Sequence, residues 1–176
     1  MPFLDTLRDW QSFYVVTGGA SAALIGLMFI AVSLGSHLVT DETMENVRTY
    51  VNPPLFHFVV VFLISCIALV PAHSQASLSI AIGLISVVGL RQAVEVILRM
   101  RRVPTGENDE DSHWLWHGVL PLTSYALAGL VALGLAVTGF PDWLNGLAVV
   151  VLTLTVCSIR NTWLLVLWIA RRRETS

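Results

Sequence analysis

Residues 143–170 read WLNGLAVVVLTLTVCSIRNTWLLVLWIA, and Arg171-Arg172-Arg173 follow directly. A single charged residue, Arg160, interrupts this run. A membrane-crossing helix needs about 20 mainly apolar residues, and this stretch supplies them. The composition of the whole chain agrees. Of 176 residues, 55% are hydrophobic and 12% charged, with a mean hydropathy of +0.73. A water-soluble domain carries roughly 25% charged residues, so half that share cannot clothe a surface facing water. The expected fold is all-α, a polytopic transmembrane helical bundle of about five spans in one domain covering residues 1–176.

Working outward from the last span, the remaining four fall at residues 13–38, 53–71, 76–99 and 114–138, with the fifth at 143–170. Asn52-Pro53-Pro54 reads as an N-cap followed by proline in the first turn, and Pro71 closes that second span. Pro121 is expected to bend the first third of span four, because its ring removes a backbone donor. The short turn Gly139-Phe140-Pro141-Asp142 makes spans four and five a tight antiparallel hairpin. Placing the terminal arginines in the cytoplasm puts Arg99, Arg101, Arg102 and Arg48 on the same side and leaves only Arg8 outside. This positive-inside pattern gives an outside N-terminus and an inside C-terminus. Trp114, Trp116, Trp143 and Trp168 stand near span ends, as interfacial aromatics do.

Several function classes are excluded by what remains. The longest stretch outside the spans is about a dozen residues, so no soluble catalytic or nucleic-acid-binding domain is expected, and no nucleic-acid partner. No P-loop, GxSxG, HExxH, CxxC or EF-hand pattern occurs, and no catalytic residue is assigned. Met1 to Trp10 carry Asp5, Arg8 and Asp9 where a cleavable signal would have a basic segment. Cys66 and Cys157 both lie within apolar runs, which argues against a disulfide between them.

Small residues repeat at helical spacing. Gly18, Ala22 and Gly26 line one face of span one, and Ser124, Ala128, Ala132 and Ala136 one face of span four; span three offers Ser79, Gly83 and Ser86. Such faces let backbones approach closely where lipid gives no hydrophobic drive. They serve self-association and packing within one bundle equally well, so both readings stand. Five short helices leave little interior for a cavity, which favours an oligomer.

Arg160 lies eleven positions before Arg171, about 16 Å along a helix, and an arginine at depth faces protein or water. Thr153, Cys157 and Asn161 share its helix as a polar row. Arg91, Glu95 and Arg99 form an i, i+4, i+8 ladder on span three. Together Arg160, Asn161, Thr153, Cys157, Glu95 and Arg91 make a candidate polar track with one excess positive charge, which favours anions if it lines water and acidic head groups if it faces lipid. The alternative is a structural Arg160, paired with Glu95 or with carbonyls freed near Pro121. His113 and His117 are four apart and His57 sits one turn into span two. These three are candidate ligands for metal or haem, although no third ligand is fixed by spacing and no cofactor is assigned.

The stretch from Gly19 to Ser33, GASAALIGLMFIAVS, together with Ile159-Arg160-Asn161-Thr162-Trp163, resembles a loosely defined group of small bacterial multispanning inner-membrane proteins. The resemblance implies a bacterial inner membrane and brings with it no established activity. The sequence thus leads to a non-enzymatic, self-associating membrane protein with an anion-biased channel or transport track. An accessory or scaffold subunit binding another membrane protein is the alternative, and a haem- or metal-binding redox subunit the third reading.

Overall fold

The computed structural model describes residues 2–35, 52–71, 74–101 and 114–174. These form α1 (Pro2–Asp9), α2 (Gln11–Gly35), α3 (Asn52–Ala68), α4 (Gln75–Met100), a π-helical turn (Leu115–Val119) running into α5 (Leu120–Thr138), and α6 (Trp143–Glu174). No strand occurs among the described residues. Four helical segments are long and apolar enough to cross a membrane: Gln11–Ser33, Gln75–Met100, Leu115–Thr138 and Trp143–Leu164. The fifth apolar helix, α3, has 17 residues, about 25 Å, at the lower limit for a span. It ends three residues before the expected stop at Pro71, since a proline disfavours helical geometry in the residue ahead of it. His37 and Leu38 at the end of the first expected span, the acidic turn beyond it, and His113 lie outside the described residues.

Helices α3, α4, α5 and α6 close into a bundle, and α2 packs on its outside, chiefly against α3. Neighbours run antiparallel. Gly18 of α2 meets Ser65 of α3, while Met28 packs with Phe58 further along. On α4 and α5, Gly83 faces Ala132, Ser86 faces Tyr125, and Ile97 faces Gly118 of the π turn. On α5 and α6, Gly134 lies against Trp143 and Val131 against Gly146.

The helix ends follow from local chemistry. Ser74 caps α4, its Oγ accepting from the Ser77 N–H at 3.1 Å. Gly139 ends α5 at φ 71°, the left-handed geometry that a Cβ disfavours, and its N–H reaches the Leu135 carbonyl. The α5–α6 hairpin is then locked by Trp143, whose indole N–H donates to Thr138 Oγ1 at 3.0 Å. Just ahead of Pro121 the helix opens into the π turn, the kind of irregularity at which helices kink.

The core is closely filled. Tyr14, Val61, Ile82, Tyr125, Leu135, Leu144, Leu147 and Leu154 are fully buried in one cluster. The outer surface is also apolar, with Phe29, Leu84, Leu133, Val137 and Trp163 exposed. A water-facing protein rarely shows contiguous apolar area of that extent. Hydrocarbon is the solvent such a surface suits.

Candidate functional site

The polar residues of α6 converge on the start of the α5 segment. In the π turn, the Leu120 N–H donates to the Leu115 carbonyl, five residues back. In α-helical register it would have gone to Trp116. In π register the Trp116 carbonyl would instead receive the N–H of residue 121, but that residue is proline and has none. The Trp116 carbonyl is therefore left without a donor from its own helix. Asn161 of α6 supplies one: its Nδ2 donates to that oxygen at 3.5 Å. Arg160, one residue earlier, lays its guanidinium over the Trp116 ring, with Cζ 4.7 Å from the centroid.

A second cluster lies beside this one. His57 of α3 is buried, and its Nδ1 is 2.7 Å from the Tyr125 hydroxyl of α5. The Phe56 ring meets Tyr125 edge-on. Two residues of α4 position Tyr125: Ser86 Oγ donates to its backbone carbonyl at 2.8 Å, and Gly89 lies under its ring where a side chain would overlap it. His117, buried in the π turn, lies within electrostatic range of His57, as Cys157 does of Tyr125. The buried Oγ of Ser158 and Oδ1 of Asn161, one turn apart on α6, have no hydrogen-bond partner among the described residues. Among the described residues no three His, Cys, Asp or Glu side chains gather as a metal site would require.

The six candidate track residues divide. Thr153, Cys157, Arg160 and Asn161 come to the α6 face that meets α5. Cys157 and Asn161 are buried there, and Thr153 and Cys157 line a groove of about 260 Å³ with Trp116, Leu120, Leu152 and Val156. Arg91 and Glu95 lie on the exposed side of α4, where Glu95 pairs with Arg99 at 3.6 Å. They are not brought to α6.

The small-residue faces divide as well. Ser124, Ala128 and Ala132 are buried, Ala132 opposite Gly83 of α4, and Ala136 is exposed. Gly18 is buried against Ser65, while Ala22 and Gly26 face outward with Gly19 and Ala23. Of the three histidines, His57 and His117 fall in the interior and His113 is outside the described residues. Sequence reasoning missed Tyr125 and Gly89. One signal was available, namely that Tyr125 follows Pro121 by one turn and Ser124 by one residue, on the same buried side. Comparison of the chain with protein-family models, with curated proteins and with solved structures finds no match.

Proposed function

We propose that the chain is a non-enzymatic integral membrane protein that works by helix association in the bilayer, first of all with copies of itself. The observation that carries this reading is the outward row on α2. Of the four long apolar helices, α2 buries the least of itself. Among the described residues, a Cβ at Gly19 or Gly26 would meet nothing within 4 Å. Glycine within a helix costs about 1 kcal/mol relative to alanine, and no contact among the described residues repays that at either position. A second helix seated on Gly19, Ala22, Ala23 and Gly26 would, since close backbone approach is what drives association in lipid.

Five crossings, with the N-terminus outside and the C-terminus in the cytoplasm of a bacterial inner membrane, complete the proposal. The alternating direction of the helices and the distribution of arginines support it. A route for anions through one copy draws less support, because the polar residues of α6 engage the broken turn of α5 while Arg91 and Glu95 stand elsewhere. An anion-biased path would have to form between copies. An accessory role, with another membrane protein on the α2 face, uses the same surface. A metal or haem role is the least supported, since His57 Nδ1 already has Tyr125 as its partner.

The test is Gly19→Leu and Gly26→Leu, singly and together, with assembly followed by cross-linking in native membranes and by particle mass in lipid. The expected result is unchanged folding with lost or weakened assembly. Assembly identical to that of the unsubstituted chain would refute the α2 face as the contact.

A further inference from the structure

The outer face of α4 carries a charge that hydrocarbon cannot match. Ile80, Leu84, Val87, Arg91, Val94 and Leu98 are all exposed, in a row spaced 4-3-4-3-4 and about 27 Å long. All but Arg91 are apolar, as a lipid-facing row should be. Arg91 makes no hydrogen bond or ion pair among the described residues, and Glu95, one turn on, pairs with Arg99 instead. The depth of Arg91 makes this costly. α4 has 26 residues, about 39 Å, against about 30 Å of hydrocarbon. Arg101 over the Trp114 ring, 5.9 Å from its centroid, marks the inner interface just beyond Met100. Arg91 stands about 13 Å before Met100 along the axis, while Glu95 and Arg99 lie nearer that interface. Arginines within a span almost always face the bundle interior or water and find a partner there. In this chain the interior side of α4 is the one with Ser86, Gly89 and Ala93. We propose that the outer face of α4 docks a transmembrane helix of a different protein, one that carries an Asp or Glu at the level of Arg91.

Charge selects this occupant. Arg91, Glu95 and Arg99 leave the face with one positive charge in excess, and Glu95 is already engaged. A second copy in the same orientation would set Arg91 against Arg91 with no free carboxylate between them, so this face does not suit self-association. Lipid phosphates lie at the interface, well away from the level of Arg91. A carboxylate on an apolar helix meets the guanidinium at its own depth, in the bidentate geometry that arginine favours. The 4-3-4-3-4 row is the spacing that a second helix follows in left-handed packing, the commoner hand in membranes. The surface rests on the reading of the chain as bilayer-spanning and is separate from the α2 contact.

The probe is a synthetic Leu/Ala transmembrane helix of about 24 residues with one Glu at its centre, within a turn of the level of Arg91. Its association with the purified full chain is followed by energy transfer in liposomes of neutral lipid, beside probes that carry Gln or Leu in place of Glu. The Glu probe should associate about tenfold more tightly than the other two, the worth of a charged hydrogen bond. Arg91→Leu should abolish that preference in a chain that still folds, since the side chain is exposed. Arg91→Glu should transfer the preference to a probe with a central Lys. Gly26→Leu on α2 should leave it unchanged, which separates this contact from self-association. Equal association of the Glu, Gln and Leu probes would overturn the proposal and leave Arg91 to lipid phosphate and water. A Glu preference that survives Arg91→Leu, the lack of a Lys preference in Arg91→Glu, or loss of the preference in Gly26→Leu would overturn it as well.

Discussion

Replacing Gly89 with alanine tests how the interior is built. A Cβ at that position would fall within the van der Waals envelope of three carbons of the Tyr125 ring. The ring has little room to retreat. Its backbone carbonyl accepts from Ser86 Oγ at 2.8 Å, and its hydroxyl is held by His57 Nδ1 at 2.7 Å. Overpacking a filled core costs about 1–3 kcal/mol, and a ring fixed at both ends should put this substitution near the upper figure. Against that, alanine gains about 1 kcal/mol of helix propensity over glycine. The net expected loss is about 2 kcal/mol. Gly83, two turns away on the same helix, supplies the comparison. Its Cβ would meet only the Ala132 Cβ at 3.7 Å, an ordinary contact, so Gly83→Ala should be neutral or gain up to about 1 kcal/mol. Reversible unfolding in mixed micelles would measure both, with a predicted gap of roughly 3 kcal/mol. A Gly89→Ala protein as stable as the unsubstituted chain, or a Gly83→Ala loss of equal size, would refute this packing of α4 on α5.

Three further outcomes follow from the same contacts. Asn161→Leu should cost about 1 kcal/mol, in the range of interhelical hydrogen bonds in membranes, and the cost should shrink in a Pro121→Ala background, where residue 121 regains the N–H its helix lacks; a double-mutant cycle in mixed micelles with no coupling would contradict the link. Tyr125→Phe leaves His57 Nδ1 without its partner and should destabilise by about 1–2 kcal/mol, read by the same unfolding assay, whereas an unchanged value would mean that the His57–Tyr125 contact carries no stability. Trp116→Leu should remove the platform under Arg160, and thermal unfolding should show Arg160→Gln costing less in that background than alone, since a cation–π contact is worth about 0.5–2 kcal/mol.

Much of the architecture could be read from the sequence because lipid imposes a simple demand. Each long apolar run must satisfy its own backbone, and a helix does so. The boundaries at Asn52 and Gly139 follow from capping and turn chemistry that is local. Arg160 was harder to place. Its depth was reckoned from Arg171, along its own helix, whereas the partner that matters belongs to another helix: Trp116 stands in the second position of the π turn, and α6 continues well past that level to Glu174. The sequence points to carbonyls freed near Pro121 as partners, but spacing does not say which α6 residue answers one. The π turn shifts the vacancy to Trp116, and Asn161 fills it. The separation of Arg91 and Glu95 from α6 was likewise invisible, because periodicity shows which residues share a face and not which neighbour that face meets. Tyr125 was overlooked since a lone tyrosine in an apolar run has no spacing pattern. Only the glycine beneath it on α4 and the histidine at its hydroxyl give it a role.

The proposed association of this helical bundle in the bilayer is open to direct measurement. The most direct measurement is the mass of the particle released from membranes in a polymer-bounded lipid disc, without detergent. A chain of 19.3 kDa that works in this way should be found as two or more copies, or with a second membrane protein in fixed ratio, and Gly26→Leu should reduce the mass. A single 19.3 kDa chain with no companion would contradict the claim.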